Sequence, residues 1–204
     1  MQGDCMELMA KTPDNYYDLA IVDPPYGLGT KTTDGGTKKN SQTKFMLDIR
    51  RTNWDNSIPQ KEYFNELKRI SKEWIIWGGN YMAENIGNVK CIIIWDKMTY
   101  IPTMSQYEFA FCSMNKHPKL VKINSNDANR QHPTQKPVKL YEWLLTKYAK
   151  QGDKILDTHG GSMSIAIACH NLGFDLDCIE LDTDYYQQAV KRYENHKLQQ
   201  RINF

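Results

Sequence analysis

The sequence predicts an α/β fold, a doubly wound, mostly parallel sheet with helices on both faces. Short apolar runs of strand length alternate with amphipathic stretches along the 204 residues. Two of these runs end in an acidic residue followed by a turn, Asp23-Pro24-Pro25-Tyr26 in one case and Asp157-Thr158-His159-Gly160-Gly161-Ser162 in the other. A third run ends at Glu180, 23 positions after Asp157. Strand, glycine turn, helix and acid-ended strand at about 20 residues' separation is the layout in which ribose hydroxyls meet a carboxylate.

Taken in order, strands are expected near 18–22, 73–77, 91–95, 107–112, 153–157 and 175–179. After the first, Ser57-Ile58-Pro59-Gln60 has the form of a capping box with an early proline. Tyr63, Phe64, Leu67 and Ile70 then mark one apolar helix face. Leu140, Leu144 and Tyr148 do the same for a helix near 137–149, and further helices are expected near 162–172 and 184–198. Gly173 closes the first of these two. No internal repeat or low-complexity tract interrupts the pattern, so residues 1–204 read as one domain. A chain of this length buries a core without metals or disulfides.

Composition excludes several classes. No apolar run is long enough to span a bilayer and no basic-then-apolar leader opens the chain, so the expected location is cytoplasmic. Cys91, Cys112, Cys169 and Cys178 sit in apolar stretches without a Cys-x-x-Cys pair, which reads as buried free thiols. No cysteine follows a proline as a covalent nucleophile for base chemistry would, and the five histidines lack metal-ligand spacing. No metal is expected.

The turn at Asp23 carries the chemistry. Two prolines set φ near −65° and offer no N–H, so the carbonyls of Asp23 and Pro24 face outward rather than into a helix. An ionised aspartate only accepts hydrogen bonds, which suits a ligand offering N–H, and Tyr26 supplies an aromatic face for a planar base. The sequence also reads Gly3-Asp4-Cys5, Trp77-Gly78-Gly79-Asn80, Glu108-Phe109-Ala110-Phe111 and His132-Pro133-Thr134-Gln135-Lys136-Pro137.

Together these motifs resemble the DNA amino-methyltransferases of the permuted, beta-type group, which use S-adenosylmethionine. The resemblance runs along nearly the whole chain, and the order is the permuted one, with the target motif before the cofactor loop. It implies a Rossmann-like methyltransferase sheet in which Asp23, Pro24, Pro25 and Tyr26 are catalytic. It assigns Asp4 and Glu180 to the adenosine half of the cofactor, and Asp157 with the Gly160-Gly161 backbone to the methionine half. Thr134 and Lys136 go to its carboxylate, and Cys5, Asp23, His159 and Ser162 complete the cofactor set. Trp77 and Asn80 read, by residue type, as core and turn residues rather than catalytic ones.

Two departures stand out. The family loop usually reads Asp-Pro-Phe-x-Gly-Ser-Gly-Thr, whereas here Met163 stands where its last glycine is expected. Relatives commonly carry a strand before the Gly-Asp-Cys turn, where this chain has Met1 and Gln2. One edge strand is therefore expected to be missing or shortened, with Arg201-Ile202-Asn203-Phe204 as an alternative source of a stub.

The net charge of +2 hides two basic stretches. Residues 31–51 hold six basic and two acidic side chains, and residues 116–139 hold six against one. Beside a base-handling motif they suggest contacts to DNA phosphates. Residues 27–56, which contain the first stretch, are expected to form a mobile basic loop. Target recognition in this group usually lies before the His-Pro-Thr-Gln-Lys-Pro motif, here residues 112–131, and twenty residues are too few for a separate core. Recognition is therefore brief, or shared with the 27–56 loop, a second copy in a homodimer or a partner subunit. The expected activity is methylation of the adenine amino group in DNA by direct displacement after base flipping. Methylation of cytosine N-4, or DNA binding without catalysis by a relative whose cofactor loop has decayed at Met163, are the alternatives.

Overall fold

The computed structural model describes residues 1–29, 55, 57–99, 105–125 and 135–202. Its strands are β1 (Tyr17–Val22), β2 (Ser71–Trp77), β3 (Cys91–Asp96), β4 (Tyr107–Cys112), β5 (Lys119–Lys122), β6 (Lys154–Asp157) and β7 (Asp175–Cys178). Its helices are α1 (Cys5–Lys11), α2 (Lys61–Ile70), α3 (Ala83–Ile86), α4 (Val138–Tyr148), α5 (Ser164–Leu172) and α6 (Thr183–Ile202), with a 3-10 turn at Gly79–Tyr81. The seven strands form one sheet in the order β5-β3-β4-β2-β1-β6-β7. β4 runs antiparallel to β2 and β3, and the other pairings are parallel.

β1 shows why the sheet is wound on both sides. Its side chains alternate, Leu19 and Ile21 entering one core and Ala20 and Val22 the other, and all four are buried. The first core takes Leu140 and Leu144 from α4 and Ile165 from α5. The second takes Met9 from α1 and Phe64, Leu67 and Ile70 from α2. A central strand buried on both faces is nearly all apolar, and that is why 18–22 was legible as a strand.

Several boundaries differ from expectation. α2 begins at Lys61 with Gln60 as its N-cap and no side-chain cap bond, so Ser57 does not cap it. The chain stays extended through Gln60, and the Pro59 carbonyl accepts from Asn85 Nδ2 at 3.1 Å. β2 starts at Ser71, directly after Ile70, so helix passes into strand without a loop. α1 and β5 were not expected. In α1 only Met9 is fully buried, and in β5 only Val121 is, so neither carries a legible apolar period. β5 lies within the 112–131 interval, so part of the expected recognition segment forms the edge of the sheet beside β3.

The shortened edge strand comes from the start of the chain. Gln2 bridges Glu180 in parallel, Gly3 N–H donates to the Glu180 carbonyl, and Glu180 N–H donates to that of Met1, both at 3.0 Å. Arg201 and Ile202 belong to α6 instead, and Asn203 and Phe204 lie outside the described residues. Most of the 27–56 loop, with all six of its basic side chains, also lies outside them, as do His132, Pro133 and Thr134. The four cysteines expected to be buried free thiols are so, while Cys5 is half-buried. No helix among the described residues is long and apolar enough to cross a membrane.

Met163 precedes α5 in a left-handed conformation, φ 54° and ψ 35°, with its side chain 5 % exposed in the first core. Left-handed backbone costs a side-chain-bearing residue about 1–2 kcal/mol, whereas truncating a buried methionine costs about 2–5 kcal/mol. Packing wins. Met163→Gly is expected to lower unfolding free energy by about 1–3 kcal/mol in a denaturant titration; an unchanged or raised midpoint would show that the side chain contributes no packing.

Candidate active site

The parallel register of β1, β6 and β7 brings Asp23, Asp157 and Glu180 to the same edge of the sheet. There the surface opens into a cleft of about 610 Å³. Asp4 and Cys5 enter it from the start of α1, Asp23 and Pro25 from the turn after β1, and Lys136 from the segment before α4. The far wall is the loop after β6, with His159, Gly160, Gly161 and Ser162, together with Glu180 beyond β7.

The loop wall is tied by backbone. Gly160 N–H donates to the Ile179 carbonyl at 2.7 Å, and a Cβ at Gly160 would lie 2.7 Å from Cys178 Sγ, so a side chain there would push the loop off β7. The Glu180 carboxylate accepts from Gly161 N–H at 2.7 Å and from Asp182 N–H at 2.9 Å, which fixes its orientation at the rim. Asp4 Oδ1 accepts from Met6 N–H at 2.8 Å, so this residue doubles as the N-cap of α1.

Asp157 does not line the cleft; at 1 % exposure it lies beneath the loop, where its Oδ1 accepts the His159 N–H at 3.0 Å. Burial, opposed by that N–H but reinforced by the charges of Asp23 and Glu180, pushes its carboxyl up to about 8. His159 is pushed the other way, to about 4, by burial, and so stands as a neutral ring at neutral pH. Thr158 Oγ1 lies 2.9 Å from His159 Nδ1 and 2.6 Å from the Tyr63 hydroxyl. In the sequence Tyr63 shows only as part of an apolar helix face.

The Asp23 turn is held from three directions. Asp23 Oδ2 pairs with Lys136 Nζ at 2.6 Å, and Oδ1 accepts from the Tyr26 hydroxyl at 2.6 Å. Asp55 Oδ1 accepts the N–H of Tyr26 at 2.6 Å and of Gly27 at 2.9 Å, so an acidic residue distant in sequence closes the turn. The Tyr26 ring stacks on Tyr81, centroids 5.3 Å apart and planes 20° from parallel, and rests against Gly78, where a Cβ would come within 2.2 Å of it. Burial first, then Asp23 and Glu108, keep the Tyr26 phenol far above its usual range, so it remains a donor.

Lys136 meets a geometry that its motif did not suggest. Its side chain is 3 % exposed and also lies 3.1 Å from Glu108 Oε2. Glu108 in turn pairs through Oε1 with Lys97 at 2.7 Å. Burial opposes charge on Lys136, but Asp23 and Glu108 outweigh it and raise the ammonium. Burial likewise opposes charge on Glu108, and Lys136 and Lys97 outweigh it and lower the carboxyl. Thr134, expected beside Lys136, lies outside the described residues. Sequence reasoning gave no role to Asp55, Tyr81 or Glu108; only Glu108 carried a signal, as the first residue of its motif.

A family model described as DNA methylase, of the N6 and N4 type, matches residues 76–191, more than half of the chain. Type II methyltransferase M2.MboI of Moraxella bovis is 25 % identical, over 94 % of this chain and 86 % of the relative. Type II methyltransferase M.HinfI of Haemophilus influenzae is 24 % identical, over 97 % of this chain and 68 % of the relative. Among solved structures, the M1.HpyAVI–SAM complex superposes with a TM-score of 0.62 at 18 % identity, covering 95 % of this chain and 97 % of that one. The cytosine-N4-specific PvuII DNA methyltransferase gives a TM-score of 0.64 at 14 % identity, with 94 % and 84 % covered. At these identities the two structures establish the fold alone. The family match extends from the last residues of β2 into α6 and takes in the loop after β6 and the Lys136 segment, and on it the chain belongs to the N6/N4 DNA methylase family.

Proposed function

We propose that this protein transfers a methyl group from S-adenosylmethionine to the exocyclic amino group of adenine in DNA. The observation that carries this reading is the position of Asp23. Its carboxylate borders the same cleft as Glu180 and the glycine loop, so a base amino group on Asp23 would face a cofactor on that loop. The cleft volume of about 610 Å³ suits a small cofactor, and its chemistry fits a nucleoside, with a carboxylate rim at Glu180 for ribose hydroxyls and close backbone at Gly160. When bound, S-adenosylmethionine supplies a methyl group activated by the sulfonium.

The protein's part is to prepare the acceptor. The lone pair of an adenine amino nitrogen is delocalised into the ring. Hydrogen bonds from its two N–H groups to the Asp23 carboxylate and the Pro24 carbonyl favour a more tetrahedral nitrogen whose lone pair is free for in-line attack. Tyr26, backed by Tyr81, offers the aromatic surface for a base taken out of the helix, which costs a few kcal/mol of unpairing. Cofactor contacts are proposed for Asp4, Cys5, His159, Ser162 and Glu180, with Asp157 acting from beneath the loop. Met163 packs into the core and does not line the cleft, which supports a loop built around this side chain. Sequence recognition is proposed to draw on the 27–56 loop and a second copy or partner, because β5 occupies part of the 112–131 interval.

Incubating the protein with S-adenosylmethionine and unmethylated genomic DNA, followed by nucleoside mass spectrometry, is expected to yield N6-methyladenine. N4-methylcytosine in its place would assign the other amino group to the same site, and neither product, despite cofactor binding, would leave a DNA-binding protein.

Asp23→Ala is expected to lower the single-turnover rate by about 10²-fold or more while cofactor affinity stays within a few-fold. Loss of cofactor binding in equal measure would place Asp23 in the cofactor pocket and not on the base.

A further inference from the structure

Lys136 stands 113 positions from Asp23 in sequence, yet its ammonium is the group closest to the Asp23 carboxylate opposite the phenol. An ammonium has three N–H donors and no acceptor. Three acceptors surround this one, Asp23 Oδ2 at 2.6 Å, Glu108 Oε2 at 3.1 Å and the Tyr26 hydroxyl at 3.1 Å. The ammonium is thus held by an ion pair to a carboxylate on either side and donates to the Tyr26 hydroxyl. The rings of Trp77 and Tyr26 lie 5.2 and 5.6 Å from Nζ and shield it further.

We propose that Lys136 is a positioning residue for Asp23, and that Glu108 is the anchor that holds Lys136 in place. The inference rests on the methyl-transfer reading of the site. Lys97, Glu108, Lys136 and Asp23 form a chain of alternating charge, positive to negative, with no net charge. Each inner member has an opposite charge on both sides, which is how charges this poorly exposed are held in an ordered geometry. A carboxylate has about four lone-pair sites. With the ammonium on Oδ2 and the phenol on Oδ1, two are occupied and the plane of the Asp23 carboxylate is set. The remaining lone pairs serve the base.

The test measures two quantities on the full-length protein, the equilibrium affinity for S-adenosylmethionine and the single-turnover rate of methyl transfer to unmethylated genomic DNA at saturating cofactor. For Lys136→Met the rate is expected to fall by about 10²-fold while cofactor affinity stays within about threefold. Lys136→Arg, which keeps the charge, is expected to recover part of the rate. Glu108→Gln serves as an independent probe should Lys136→Met not fold; it leaves the ammonium one carboxylate and is expected to lower the rate with cofactor affinity retained. A tenfold or larger loss of cofactor affinity in Lys136→Met, with the rate preserved at saturation, would overturn the proposal and make Lys136 a cofactor ligand. Unchanged rates in Lys136→Met, or in Glu108→Gln, would overturn the positioning role or the anchor respectively. Absence of transfer by the unsubstituted protein would instead sink the methyl-transfer reading, and the affinity of Lys136→Met would still decide whether Lys136 holds the cofactor.

Discussion

The Lys136 ammonium, enclosed between the carboxylates of Asp23 and Glu108, is the constraint on which the site depends. Taking a charge out of water costs several kcal/mol, offset here only if both carboxylates are in reach. Three segments are thereby committed to one geometry: the turn after β1, the start of β4 and the chain entering α4. Each lies on a different part of the sheet, so the ion pairs tie together elements that sequence separates widely.

The one antiparallel strand makes this arrangement available. Parallel strands end on one side of a sheet, and ligand crevices open there. Because β4 runs the other way, its first residues, not its last, reach that side, and Glu108 stands opposite Trp95 near the end of β3. A parallel strand at the same place would have carried Glu108 to the opposite edge. Beside β3 the Glu108 side chain, 20 % exposed, is placed between the ammonium groups of Lys97 and Lys136.

The loop after β6 follows a different rule, close approach of backbone. Gly160 fits against Cys178 because it has no Cβ, and Gly78 admits the edge of the Tyr26 ring for the same reason. Met163 departs from that rule without harm to the cleft, since its left-handed backbone turns the side chain into the core beside α5. A residue that looked like a defect in a motif is thus a packing residue once the direction of its side chain is known.

Much of this was legible in the sequence. Buried central strands announce themselves as apolar runs, so β1 and β6 were placed to within a residue or so, and the acids that end them were found with them. Glycine closing α5 was legible because a left-handed C-cap calls for it. α1 and β5 escaped because each buries a single side chain, and a period needs more than one. The Ser57 capping pattern misled because a local motif does not say where the chain outside it stays extended. What sequence determined by itself was six of the seven strands, the order of the motifs and which residue types stand at the strand ends, since these depend on local periodicity and composition. What tertiary structure alone decided was partnership: that Lys136 faces Asp23 and Glu108, that Asp55 closes the Tyr26 turn and that Met1 to Gly3 complete the sheet edge. Such pairings are set by strand order and direction, which bring together side chains that no local pattern connects.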